Sequence, residues 1–180
     1  IINRLGFNNK GVDYLLDRVR ATRENFQGIL GINIGKNFDT PIDRAGDDYV
    51  ECLRKVYPFA DYVTINISSP NTRNLRDLQQ EAQLHDLLLR LTQARAGLMQ
   101  QHGVRRPLLV KIAPDVSAEQ IGQIARIARE LDIDGLIATN TTISRPPQLA
   151  GLRHATEQGG LSGAPLRGLA DDTLRRLRAA

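Results

Sequence analysis

Several protein classes are excluded by what the 180-residue chain has little of. It carries one cysteine, Cys52, so it cannot close an internal disulfide. Cys52 falls with Tyr49, Leu53 and Val56 on the apolar side of a helical pattern, which reads as core and not as a nucleophile. No apolar run approaches the roughly 18 residues that cross a bilayer, and no charged-then-apolar start resembles a signal peptide. The segment reads as cytosolic in character. Aromatic residues make up only 4%, and only four of the 24 basic residues are lysines, Lys10, Lys36, Lys55 and Lys111. The arginines are scattered among Asp and Glu with no basic run longer than two. Nucleic acid is therefore not expected as a partner, and the arginines are expected on solvated helix faces. The three histidines, His85, His102 and His154, have no metal-ligand spacing with one another or with Cys52, so no metal is expected.

What is present is the composition of a globular domain, 41% apolar and 24% charged, with a net charge of +4. The chain opens Ile1-Ile2-Asn3 without an initiator, and its single methionine is Met99, so it reads as an excerpt of a longer protein.

Tyr62-Val63-Thr64-Ile65-Asn66-Ile67 is a β-branched run that discharges into Ser68-Ser69-Pro70-Asn71-Thr72, two hydroxyls and two carboxamides closed by a proline that ends a ladder. Turn-making alone could produce that composition. Repetition argues for more. Residues 28–37, 108–115 and 135–142 are further apolar runs that end in polar groups, and the opening residues suggest the end of another strand. Between them lie helical periodicities: Val12, Leu15, Leu16 and Val19; residues 47–57; Leu84, Leu87, Leu88, Leu91 and Leu98; and Ile121, Ile124, Ala125, Ala128 and Leu131 behind a Ser117/Gln120 capping box. A last helix is expected from about Gly168.

Alternation of this kind predicts a parallel sheet, and near-continuous apolar strands predict that both its faces are covered. A doubly wound sheet or a barrel would fit. Asn33, Asn66, Lys111 and Asn140 stand at the carboxyl ends of four successive strands, which a (β/α)8 barrel gathers on one rim. No glycine fingerprint follows a first strand to support a nicotinamide-binding open sheet. About five strands are expected here, against eight in a complete barrel of about 250 residues. Residues 1–180 are thus expected to be a partial catalytic barrel domain.

Six segments in order carry a resemblance to the dihydroorotate dehydrogenases of the quinone-dependent class 2, bacterial type. They are Asn3-Arg4-Leu5-Gly6-Phe7-Asn8-Asn9, residues 31–37, residues 66–72, residues 110–115, residues 138–142 and Gly159-Gly160-Leu161-Ser162-Gly163. Class 1 relatives place a cysteine where Ser69 stands. The resemblance implies a flavoprotein of pyrimidine biosynthesis that oxidises dihydroorotate to orotate, with FMN as hydride acceptor and a membrane quinone reoxidising the flavin. It implies that Ser69 is the catalytic base, with Thr72 and Phe7 holding the water through which the proton escapes. Asn3, Asn66, Asn71, Asn140 and Thr141 are implied to bind the pyrimidine, with Arg4, Leu5, Gly6 and Phe7 in the same substrate segment. A carboxamide both donates and accepts, which suits a ring of alternating N–H and C=O groups. Asn33, Asn66, Lys111, Thr139 and Gly163 are implied to contact the flavin. The family's amino-terminal membrane-associated helices and the carboxyl-terminal strands that grip the FMN phosphate have no counterpart in these residues. Peripheral attachment to the cytoplasmic side of the inner membrane is implied through such segments. Two other readings stand beside this one: a barrel lyase with Lys111 as Schiff-base amine, and an inactive barrel fragment serving as an interaction surface.

Overall fold

The computed structural model describes residues 1–72 and 74–180. Its elements in order are β1 (Ile2–Asn3), α1 (Val12–Arg23), β2 (Gly31–Ile34), α2 (Ala45–Val56), β3 (Tyr62–Asn66), α3 (Glu81–His102), β4 (Leu108–Ile112), α4 (Ala118–Glu130), β5 (Gly135–Ala138), β6 (Gly160–Leu161) and α5 (Ala164–Ala179). Strands β2, β3, β4 and β5 form one parallel sheet in chain order.

The helices follow from their apolar stripes. Along α3, Leu84, Leu87, Leu88, Leu91 and Leu98 are buried, and Gly103 ends the helix at φ 67, where a side chain would be strained. Ser117 and Gln120 close the expected capping box on α4. Consecutive helices touch in sequence, α1 with α2, α2 with α3, α3 with α4 and α4 with α5. They form one layer on one side of the sheet, the arrangement of a barrel wall and not of a doubly wound sheet, whose helices divide between two faces.

The register assigns every strand residue to a face. Ile32, Ile34, Val63, Ile65, Leu108, Val110 and Ile112 point into the helices and are buried. The opposite face carries Asn33, Thr64, Asn66, Leu109, Lys111 and Ile137 in adjacent rows, and along β2 and β4 it is exposed or half-exposed. The expectation of two covered faces is met on the helix side and, on the other face, at Thr64 and Asn66 of β3, which are 6% and 2% exposed, whereas Gly31 and Asn33 of β2 are exposed.

Three other expectations are corrected. The opening strand does not join the parallel sheet; β1 pairs antiparallel with β6, and an isolated bridge joins Thr142 to Leu161 beside it. Among the described residues the barrel strands are therefore four, and β1 lies beside the chain that leaves β5. The last helix begins at Ala164 and not near Gly168, because Pro165 occupies the first turn, where its missing N–H leaves no bond unmade. Finally, not every arginine is solvated. Arg95 is 6% exposed and donates to Asp134 at 2.7 Å and to the Asp132 carbonyl at 2.8 Å.

That arginine belongs to a system at the amino-terminal end of the sheet. Asp134 also accepts from the Leu108 backbone N–H at 2.8 Å and from Arg105. Asp61 acts in the same way at the crossover from β2 to β3, accepting from the Leu30 N–H and from Arg23, each at 2.7 Å. Two carboxylates thus fasten the start of one strand to the start of the next, at the barrel end that carries stability and not chemistry.

Candidate active site at the carboxyl-terminal rim

Each parallel strand delivers its last residues to the same end. Asn66 and Lys111 are direct register partners, and Asn140 follows β5 with its N–H bonded to the Ile112 carbonyl at 2.9 Å. Asn33 lies on the same sheet face one strand away, in register with Thr64. Tyr49 of α2 reaches beneath the rim and donates to the Asn66 carbonyl at 2.7 Å. Burial pushes its hydroxyl far above the ordinary tyrosine range, so it stays a donor.

Asn66 is 2% exposed, and its Oδ1 is the centre of a small polar cluster. It accepts from the Ser68 N–H at 3.2 Å, the Ser68 hydroxyl at 2.9 Å and the Asn140 Nδ2 at 3.4 Å. Asn140 also donates to the Ser68 Oγ at 3.1 Å, and its own Oδ1 accepts from the Thr141 N–H at 2.7 Å. Asn71 reaches across to β1, donating to the Asn3 carbonyl at 3.2 Å and to its Oδ1 at 3.4 Å. So the pairing of β1 with β6, misplaced by sequence reasoning, brings Asn3 to the rim.

Ser69 is 6% exposed, and its Oγ accepts from the Asn71 N–H at 3.2 Å. Among the described residues no carboxylate or imidazole bonds to it. Thr72, Phe7, Gly6 and Asn33 line a common open cavity of about 550 Å³. Phe7 holds a left-handed φ of 59°, a conformation that costs a non-glycine residue about 1–2 kcal/mol and that clusters at binding loops. Lys111 has no hydrogen-bond or ion-pair partner among the described residues, and it is half-exposed on the open sheet face.

The remaining expected residues lie further out. Arg4 pairs with Glu157 at 3.1 Å, and Leu5 is 69% exposed, while Gly6 brings its backbone near the Asn71 carbonyl. The Thr139 hydroxyl donates to the Asn140 carbonyl at 3.0 Å. Gly163 caps α5 at φ 85 with open space around its Cα, and no hydrogen bond joins it to the cluster. Gly160 does approach: a Cβ there would lie 2.1 Å from the Thr141 Oγ1, so only glycine fits without moving that hydroxyl.

Sequence reasoning missed the residues that hold the rim together. Lys36 is buried with its ammonium on the carbonyls of Asn37 at 2.7 Å and Thr40 at 2.6 Å, which folds the loop after β2. Gln79 accepts from the Ala113 N–H at 2.9 Å, where the following proline ends β4. Arg76 and Asp115 join three loops. Lys36 and Asp115 fall inside the segments 31–37 and 110–115 that carry the resemblance but are not singled out there, and Arg76 and Gln79 lie in a polar stretch far from any strand end.

The profile of the family described as dihydroorotate dehydrogenase matches residues 1–180. A dihydroorotate dehydrogenase (quinone) of Azoarcus sp. (strain BH72) is 62% identical over 166 residues, covering 92% of this chain and 48% of the relative. One from Burkholderia pseudomallei (strain 668) is 55% identical over 179 residues, covering 99% of this chain and 52% of the relative. Among solved structures, DHODH from Eimeria tenella in complex with ferulenol superposes with a TM-score of 0.90 at 38% identity, covering 99% of this chain and 52% of that one. Its ligand-free form gives 0.87. The chain spans about half the length of the curated relatives it matches. Matched along its whole length and sharing the backbone of those structures, the chain belongs to the dihydroorotate dehydrogenase family.

Proposed function

We propose that the protein to which these residues belong oxidises (S)-dihydroorotate to orotate, with FMN as its flavin and a membrane quinone as final electron acceptor, in pyrimidine biosynthesis. The observation that carries this reading is the meeting of Ser69, three carboxamides and an unpaired lysine at the ends of adjacent parallel strands. Residues suited to a flavin are present. Among the described residues Lys111 pairs with no carboxylate, so its charge is available to the electron-rich edge of a reduced ring, and Asn33 and Asn66 supply donors and acceptors on the same sheet face. Thr139 and Gly163 are the outer contacts in this reading. When bound, FMN supplies the acceptor for hydride and the route to quinone.

Ser69 takes the proton from the substrate's ring carbon. A hydroxyl is a weak base, and two features here assist it: burial, which excludes competing water, and the Asn71 N–H, whose donation to Oγ favours the developing negative charge. Thr72 and Phe7, which line one cavity, hold the water that carries the proton away. Asn3, Asn66, Asn71, Asn140 and Thr141 grip the pyrimidine. Arg4, Leu5 and Gly6 serve through their backbone, since the Arg4 side chain is turned to Glu157 and that of Leu5 to solvent.

No helix among the described residues is long and apolar enough to cross a membrane. Peripheral attachment to the inner membrane, through segments outside residues 1–180, completes the reading. The test is anaerobic mixing of the full-length protein with dihydroorotate. Flavin bleaching with stoichiometric orotate is expected, followed by recovery of colour on adding quinone. A protein that is colourless and is instead trapped by borohydride on a carbonyl substrate would replace this reading with the Schiff-base one.

A further inference from the structure

Three loops emerge at the rim, after β3, β4 and β5, and one ion pair touches all of them. Arg76 lies in the short 3-10 turn Leu75–Gln79, and its side chain is 20% exposed. Its Nε donates to the Ser68 carbonyl at 3.1 Å, one Nη to Asp115 at 2.8 Å and the other to the Thr141 carbonyl at 2.9 Å. Asp115 then accepts from the hydroxyls of Thr142 and Ser144, the latter at 3.1 Å, and from the Ile143 N–H at 3.3 Å.

The points gripped decide what the pair does. Ser68 immediately precedes Ser69, and Thr141 immediately follows Asn140. A planar guanidinium donating in three fixed directions sets the spacing of those two carbonyls as a rigid gauge; a lysine, whose three donors rotate about one point, sets it less rigidly. We propose that Arg76 and Asp115 are positioning residues that hold the Ser69 loop and the Asn140 loop at the mutual distance the reaction requires. The proposal rests on the reading of Ser69 as base and Asn140 as a substrate ligand. Neither Arg76 nor Asp115 touches substrate; each acts through the backbone beside a residue that does.

Misplacement of a reacting group by about 1 Å can cost about 10²-fold in rate. In the full-length protein, Arg76→Ala should therefore slow flavin reduction by dihydroorotate by about that factor. Reoxidation by quinone, which needs no base at the substrate, should keep the parent rate. Asp115→Asn should behave likewise, the double variant should be no slower than Arg76→Ala because the pair acts as a unit, and Arg76→Lys should fall between. Amide hydrogen exchange, measured without substrate, should rise together in segments 66–72 and 140–144 and not elsewhere. Parent-rate reduction with unchanged exchange overturns the proposal. So does an equal loss in both half-reactions with exchange rising throughout the chain, which would make the pair a general staple. Should Arg76→Ala fail to fold, Arg76→Lys and Asp115→Asn carry the test. If the unmodified protein does not reduce its flavin with dihydroorotate, the functional reading fails, and the exchange result alone decides whether the pair spaces the two loops.

Discussion

Removing the Asp134 carboxylate should destabilise the fold more than removing any surface acid. Asp134 receives Arg95, Arg105 and the Leu108 N–H, and the Asp134 and Arg95 side chains are only 18% and 7% exposed. Deleting one partner of a buried pair costs about 3–5 kcal/mol, mostly because the other charge is stranded. Leaving the Leu108 N–H without its acceptor costs about 1–3 kcal/mol. The Arg105 pair adds little, since that side chain is more than a third exposed and is screened. These overlap, because Asp132 remains to receive Arg95, so the expected loss for Asp134→Ala is about 3–5 kcal/mol in denaturant unfolding of the full-length protein. Asp47→Ala is the control: its ion pairs with Arg44 and Arg90 are in solvent, and its midpoint should stay near the parent's. The pH dependence gives a second reading. Burial pushes the Asp134 carboxyl up, but the hydrogen bond from Arg105, the Leu108 N–H and the charges of Arg105 and Arg95 outweigh it and hold the group below its ordinary value. A depressed carboxylate contributes its stability in full above the unfolded pKa of about 3.9 and loses it as pH falls through the folded one. The gap between parent and Asp134→Ala should thus be flat from neutrality to about pH 5 and close below about pH 4. A loss under about 1 kcal/mol, the worth of an exposed pair, would refute the claim that this end of the sheet is fastened by buried carboxylates.

Ser69→Ala should slow flavin reduction by dihydroorotate by about 10²-fold or more while orotate binding changes much less, and stopped-flow measurement of each half-reaction checks it. Ser69→Cys should keep some of the activity, since a thiol ionises more readily. Burial first, and then the charges of Asp48 and Glu51, push the Cys52 thiol up to about 11, so alkylation of the folded protein at pH 8 should be far slower than that of a free thiol. Rapid labelling by iodoacetamide at that pH would show that α2 opens.

The four parallel strands and the helices between them were legible because each is a local pattern: a β-branched run such as Val63, Ile65 and Ile67, or a leucine stripe such as that of α3. The rim was legible for a similar reason, since a residue at a strand's end stays at the strand's end in any parallel sheet. Contacts between distant segments were not. β1 is only two residues long, so its partner was decided by β6, some 160 residues away, and not by its own pattern. Arg76 and Arg95 look like any other arginines in a polar stretch. What distinguishes them is Asp115 and Asp134, each 39 residues further on, and no periodicity connects such pairs. The alternation of covered and open faces was also hidden, because Leu109 and Ile137 on the open face are as apolar as their covered neighbours.

The Arg76 gauge also sets an order in time. Its last acceptor, the Thr141 carbonyl, lies 65 residues downstream. A ribosome adding about 5–20 residues per second delivers it roughly 3–13 s after Arg76 itself. Throughout that interval β2 and β3 can pair and α2 can cover them, while the guanidinium has nothing at β5 to hold. The nascent chain can therefore pack the β2–β3 part of its wall before the loop after β3 is tied through Arg76 to the loop after β5.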